Sequence, residues 1–308
     1  MDRREHGSGV VRELLGSSSR AQRTLNFATK RAIDLHLRLY RTCSNKLSFH
    51  FTMIPRQFIR ASVPVFRRNA FNAPRVSALR FYSNFKAEEQ PRIRIGSTAP
   101  NFQADTTQGK IDFHDFIGNN WVVLFSHPAD FTPVCTTELG AFARLAPEFK
   151  QRGVKMIGLS TEGVESHNDW IKDIEEVATD GAKFGYPIIA DASKEVAFKY
   201  DMVTEEDFAN INSGMIATVR SVFIIDPAKK VRLIMTYPAS TGRNSAEVLR
   251  VIDALQLADS KGIATPIDWS VGEDVIIPPS VSNEDAKAKF GEFNELKSYL
   301  RTTKLPIN

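Results

Sequence analysis

The chain has 308 residues, 42% hydrophobic and 25% charged, which is enough apolar material for one or two cores and excludes a wholly disordered polymer. Its formal charge of +4 is unevenly spread, because residues 1–82 hold 16 Lys and Arg against 4 Asp and Glu, leaving 24 against 32 and a balance of −8 for the remainder. An acidic body repels phosphate backbones, which argues against a nucleic-acid partner, and no apolar run approaches the roughly 20 residues that span a bilayer.

In chain order, the first feature is a stretch without acids. Between Met53 and Tyr82 no Asp or Glu occurs, while Arg56, Arg60, Arg67, Arg68, Arg75 and Arg80 alternate with Ile54, Phe58, Ile59, Val65, Phe66 and Phe71. Arg-rich, acid-poor and amphipathic sequence is the mark of a mitochondrial transit peptide. We therefore read 1–82 as a basic extension with 53–82 as the presequence proper, Arg80-Phe81-Tyr82-Ser83 as a processing site cut before Ser83, and the mitochondrion, most simply its matrix, as the destination. Asp2, Glu5, Glu13 and Asp34 precede this already complete presequence, so either Met1 or Met53 serves as the start. Cys43 is removed under both choices, and Cys135 is then the one thiol of the mature chain. There is no Cys-x-x-Cys and no His-Glu-x-x-His, and neither a metal nor a cofactor is expected.

From Ser97 onward strands and helices alternate. Trp121 to Ser126 reads as a buried strand, and Leu139, Phe142, Leu145 or Ala146 and Phe149 then recur at helical spacing, with Pro147 expected to kink or end that helix. Val154 to Ser160 is a second strand; Val164, His167, Ile171, Ile174 and Ala178 mark one face of a helix. Pro187 to Asp191 is a short strand and Lys194 to Tyr200 a short helix. Ser221 to Ile225 and Val231 to Thr236 form a hairpin around Asp226-Pro227-Ala228-Lys229-Lys230. Asn244, with Glu247 three positions on, opens a helix carrying Val248, Val251, Ile252 and Leu255. After Leu257 the prolines Pro266, Pro278 and Pro279 break up the chain before a short helix near Asn283 to Phe290. The pattern predicts an α/β fold with a mixed central sheet covered on both faces.

Chemistry concentrates at the first of these helices. Thr132 reads as its N-cap and Pro133 as its first residue, which puts Cys135 at the third helical position. Free backbone N–H groups and the positive end of the helix dipole favour an anion there, so a thiol ionises more readily, and the thiolate is the reactive form. A cysteine between a strand and a helix is otherwise most often an inert, buried, small hydrophobe.

The segment His127-Pro128-Ala129-Asp130-Phe131-Thr132-Pro133-Val134-Cys135-Thr136-Thr137-Glu138 closely resembles the active-site segment of peroxiredoxins, with Pro, three residues, Thr or Ser, two residues and Cys. His127 and the stretch after Leu257 resemble the 1-Cys subfamily, and the likeness runs from about residue 92 to 308. It implies a thioredoxin-like fold over 92–258, a small C-terminal domain over 259–308, and reduction of hydrogen peroxide and organic hydroperoxides at Cys135 through a sulfenic acid. The Thr132 hydroxyl, three residues before Cys135, is expected to reach the sulfur or the bound peroxide, a role that can coexist with capping; by the same likeness Arg220 lies beside the sulfur, Pro128 shields it, His127 contacts its surroundings and Arg243 orients the helix, whereas alone these arginines would read as solvated or weakly paired. With one thiol left, the reductant must be external, and the resemblance implies glutathione with a helper protein, a glutaredoxin or thioredoxin system, or ascorbate. Family members resemble homodimers. A redox relay or a holdase using the same cysteine is the alternative from a different class. Some 1-Cys members resemble bifunctional enzymes that also hydrolyse phospholipids, but Asn120 stands where their serine would be and Val122 where their glycine would be, so His114 has no nucleophile to activate and lipase activity is not expected.

Overall fold

The computed structural model describes residues 84–214 and 216–305; the expected presequence, its processing site and Cys43 lie outside them. The apolar run read as a strand is β3 (Trp121–Ser126), which pairs in parallel with β4 (Val154–Ser160) and antiparallel with β6 (Arg220–Ile225). Beyond β4 comes β5 (Ile188–Ala190), also parallel, and beyond β6 comes β7 (Val231–Tyr237), antiparallel. An antiparallel hairpin that the periodicity did not reveal, β1 (Gln103–Thr106) and β2 (Gly109–Asp112), completes the seven-stranded order β2-β1-β5-β4-β3-β6-β7.

Strand alternation assigns each face its core. Val123 and Phe125 of β3 and Val222 and Ile224 of β6 pack with Leu139, Phe142, Trp170, Ile174, Val248 and Ile252, so three helices cover this side: α2 (Pro133–Arg144), α4 (Val164–Val177) and α7 (Ser245–Lys261). Val122, Leu124, Phe223 and Ile225 point the other way, against Phe113 and Ile117 of α1 (Phe113–Ile117) and Val196 and Ala197 of α5 (Glu195–Lys199). The sheet is thus mixed and buried on both faces, as the alternating pattern predicts.

Pro147 acts as expected. The helix breaks at Leu145 (φ −87°, ψ 1°), and α3 (Ala146–Gln151) restarts with the proline in its first turn, where its missing N–H is harmless. Asn244 caps α7 by accepting from the N–H groups of Ala246 and Glu247; the Glu247 carboxylate turns instead to Arg250, at 2.6 Å, so the reciprocal capping-box bond is not made. Past α6 (Glu205–Ala209), β6, β7 and α7, the chain builds a three-stranded sheet, β8 (Val275–Ile277), β10 (Leu300–Thr303) and β9 (Asn294–Lys297), with α8 (Asn283–Phe290) between β8 and β9 in sequence. Ile263, Trp269 and Val275 form a small core there against Ala254, Leu257 and Ala258 of α7.

Gly140 permits the packing of α2 on the end of α4. A Cβ there would lie 2.4 Å from the Ala178 carbonyl oxygen and 2.5 Å from its Cβ. Arg144 donates to that same carbonyl. Gly140→Ala is therefore expected to lower stability by about 1–3 kcal/mol through overpacking, read as a reduced midpoint in urea denaturation.

Candidate active site

Cys135 lies at the third position of α2, after Pro133 at the first. It is a free thiol and completely buried. Thr132 occupies the N-cap position in an extended conformation (φ −114°, ψ 144°), yet its side chain makes no capping bond. Its hydroxyl donates to the Ala129 carbonyl at 2.9 Å, tying the preceding turn together. This corrects the expected capping role, since a rotamer that turns the proton back toward Ala129 serves the loop and not the helix. Pro128 is half-buried in the same turn, and Phe131 closes it in the left-handed region (φ 53°) with its ring exposed.

The register of the sheet delivers the arginine. Val222 of β6 faces Phe125 of β3 in antiparallel pairing, so Arg220, the first residue of β6, emerges where β3 ends and the loop to α2 begins. Its Nη1 stands 3.3 Å from Cys135 Sγ and 2.6 Å from Glu138 Oε2, while Nε and Nη2 both donate to the Ala239 carbonyl, at 3.0 and 2.7 Å. The guanidinium fork is therefore fixed before any substrate arrives.

Glu138 is the residue that motif reading missed. It follows Cys135 by one helical turn and is 7% exposed. Arg243 clamps it from the other side: its backbone N–H and Nε reach Oε1 at 2.6 and 3.0 Å, and Nη2 reaches Oε2 at 3.0 Å. Arg243 Nη1 also donates to the carbonyls of Ser126 and Ser221, at 2.8 and 3.0 Å, and the guanidinium lies 5.3 Å from the Phe125 ring centroid. The surface ion pair that Arg243 would suggest in isolation is thus a fully buried clamp joining β3, β6 and α2. Burial opposes ionisation of Glu138, but the charge and hydrogen bonds of Arg243 and the charge of Arg220 hold its carboxyl below the usual 4.5.

His127 is buried as well, but its hydrogen bond goes to Asp130, with Nε2 2.9 Å from Oδ1. Its ring packs 5.0 Å from that of Trp170, whose Nε1 donates to Thr136 Oγ1 beside Cys135. The contact expected between His127 and the cysteine surroundings therefore runs through Trp170 and Thr136. Elsewhere, His114 Nε2 lies 2.8 Å from the Ala99 carbonyl, and the Asn120 amide donates to the Ile117 carbonyl at 3.4 Å.

The clamp sets a pH dependence. A folded-state pKa below the usual value means the Glu138 contribution is complete at neutral pH and is lost as the pH falls through 4.5 and below. Glu138→Gln is expected to be less stable than the parent by about 3–5 kcal/mol at pH 7, because it leaves two buried guanidinium charges uncompensated. Urea denaturation at a series of pH values should show that difference narrowing in acid, where the parent carboxyl becomes neutral too.

Two family models match the chain: the AhpC/TSA family over residues 95–234 and the C-terminal domain of 1-Cys peroxiredoxin over residues 254–292. Mitochondrial peroxiredoxin PRX1 of Saccharomyces cerevisiae is 66% identical over 220 residues, covering 71% of this chain and 84% of the yeast protein. Peroxiredoxin-6 of Gallus gallus is 50% identical over 224 residues, covering 70% and 99%. The solved structure of the yeast mitochondrial 1-Cys peroxiredoxin, concerned with thiol resolution via glutathione and thioredoxin systems, has a TM-score of 0.64 at 65% identity and covers 70% of this chain and 100% of that one. Peroxiredoxin 6 of Arenicola marina gives 0.66 at 47% identity, again covering 70% and 100%. The fold is accordingly thioredoxin-like, and the chain belongs to the 1-Cys peroxiredoxins of the AhpC/TSA family, thiol-dependent peroxidases.

Proposed function

We propose that Cys135 is the peroxidatic nucleophile for hydrogen peroxide and organic hydroperoxides. Its thiolate attacks the terminal oxygen; an S–O bond forms, the O–O bond breaks, and the departing oxygen takes a proton to leave as water or an alcohol. Sulfur is oxidised to a sulfenic acid and the peroxide is reduced. The observation that carries this reading is Arg220 Nη1 at 3.3 Å from Sγ, within a buried set of two guanidiniums and one carboxylate. Such a set has one positive charge in excess, which an anionic sulfur or a developing alkoxide balances. Thr132 and Pro128 shape the turn before the helix, and Arg243 acts through Glu138.

Cys135 is the free cysteine among the described residues, so we assign the reduction of the sulfenic acid to an external thiol. The yeast relative, resolved via glutathione and thioredoxin systems, supports glutathione or a thioredoxin system in that part, with a glutaredoxin as the third candidate. The basic, acid-poor leader and the mitochondrial relative place the protein in the mitochondrion, and we assign it to the matrix as an antioxidant enzyme. We infer a homodimer, for which β7, an edge strand of the seven-stranded sheet among the described residues, offers its outer side beyond Val231, whose N–H and carbonyl are taken by Ser97 and Gly96. We place the division between the two domains at residue 258, inside the last turn of α7, which runs on to Lys261.

One equivalent of peroxide with dimedone should label Cys135 in a mass spectrum, and Cys135→Ser should lose the label. Arg220→Lys cannot reproduce the planar fork and should slow labelling by about 100-fold. Labelling at an undiminished rate in Arg220→Lys would remove that residue from the mechanism. Purified protein given phospholipid vesicles should release no fatty acid, since an amide at position 120 is not a nucleophile.

A further inference from the structure

The N-terminal end of the described chain is tied down, and its ties lead to Arg220. The Asn212 amide pairs with the Phe85 backbone as a peptide unit would: the Phe85 N–H donates to Asn212 Oδ1, and Asn212 Nδ2 donates to the Phe85 carbonyl, each at 2.8 Å. The Phe85 ring is half-buried and stacks on Phe198 of α5, with centroids 4.6 Å apart. A single 3-10 turn follows, Ala87–Glu89, and Gln90 Nε2 then donates to the Phe198 carbonyl at 3.0 Å and to Asp201 Oδ1 at 3.1 Å. Further on, the Gly96 N–H and the Ser97 carbonyl both bond to the backbone of Val231 in β7. Residues 85–97 thus form a strap anchored on α5 at one end and on β7 at the other.

Two routes run from this strap to the active-site arginine. The first is packing. Phe198, Ile211 and Ile216 form a small buried core, with Phe85, Val203 and Phe208 packed against it. Ile216 stands four residues before Arg220, and its carbonyl accepts from Thr161 Oγ1 at 2.8 Å. The second route is the backbone just after α5. Gln90 grips Phe198 and Asp201, and the next residue, Met202, accepts the Val219 N–H on its carbonyl at 2.8 Å. The Val219 carbonyl in turn accepts from Ser126 Oγ at 2.5 Å, and Thr218 Oγ1 donates to the His127 carbonyl at 2.6 Å. Both routes end at Val219, beside Arg220, which opens β6. Thr218, Val219 and Arg220 are all buried. A guanidinium contact of 3.3 Å with sulfur depends on where this backbone sits, and small misplacements of such a group are costly to rate.

We propose that Phe85 is a positioning residue: docked on Phe198 and beside Ile216, it braces Val219 and so keeps the Arg220 guanidinium at its distance from the sulfur. This rests on Cys135 as the reacting sulfur with Arg220 as its partner. The expected cut before Ser83 leaves Ser83 and Asn84 ahead of Phe85, so an exopeptidase that trims the mature N-terminus past Asn84 removes the brace. The state of that terminus thereby sets the rate at which Cys135 is oxidised.

The test measures two quantities in the mature chain, well below its unfolding temperature: deuterium exchange at the Val219 amide, and the second-order rate of Cys135 oxidation by hydrogen peroxide. Phe85→Ala should speed the exchange and slow the oxidation about 10-fold, and Phe85→Leu, which refills most of the core, should recover both. Asn212→Ala removes the two bonds to the Phe85 backbone while leaving the apolar core whole; it should act in the same direction, and it carries the test if Phe85→Ala does not fold. A chain beginning at Lys86 should match Phe85→Ala. General loosening would slow the reaction by the same factor in any background, whereas Phe85→Ala placed in Arg220→Lys should add less than about 2-fold. Full multiplication of the two effects overturns the proposal, and so does an unchanged Val219 exchange or an unchanged oxidation rate in folded Phe85→Ala. Failure of the parent thiol to react with peroxide would sink the peroxidase reading instead, and the Val219 exchange, measured without peroxide, separates the two.

Discussion

Two guanidinium groups and one carboxylate are buried together beside Cys135, and their charges do not cancel. Taking each ion out of water costs several kcal/mol, so such a cluster persists only where hydrogen bonds replace the lost hydration. Here they do. Glu138 receives both arginines and a backbone N–H, Arg220 is held by the Ala239 carbonyl, and Arg243 by the carbonyls of Ser126 and Ser221. What remains is one uncompensated positive charge, and the group within its reach is the sulfur, 3.3 Å from Arg220 Nη1.

The fold is arranged to bring these charges together. Antiparallel pairing of β6 with β3 brings the start of one strand to the end of the other, and α2 leaves from that same end. Gly140 lets α2 settle onto the end of α4, and the Phe125 ring lies under the Arg243 guanidinium. The helix that carries Cys135 is therefore fixed at its start by the bonds of Asp130 to His127 and His167, one turn in by the Glu138 clamp, and along its length by the core. In the proposed cycle, a side chain buried this completely would be reached by a small hydroperoxide more readily than by a bulky thiol, so an external reductant would have the harder geometric task of the two.

Much of this was legible in the sequence, for identifiable reasons. Strands β3, β4 and β6 are long apolar runs buried on both faces, and α4 and α7 have apolar positions at helical spacing, so burial left a periodic trace. Strand β9 left none, because all four of its residues are exposed, and β8 is three residues long. The hairpin of β1 and β2 is short and mostly solvent-facing, which erases the alternation. At the site, the Cys135 segment was recognisable as a contiguous motif. Glu138 was not, although an acid one turn after the cysteine on a face shared with Leu139 and Phe142 is a signal; its partners arrive from 82 and 105 residues away. His167 was placed correctly on the inner face of α4, but its link to Asp130, 37 residues earlier, is a product of the fold.

The central claim is that the excess buried charge stabilises the negative charge developing on the departing oxygen, so that this sulfur reacts with peroxide faster than the thiolate of the free amino acid does. Stopped-flow measurement of the second-order rate constant for hydrogen peroxide, followed by the fluorescence of Trp170 against the His127 ring, tests it most directly. The account predicts a constant at least about 100-fold above that of free cysteine thiolate, in line with what preorganised donors contribute at other sites of developing negative charge. A constant equal to that of free cysteine thiolate would contradict it.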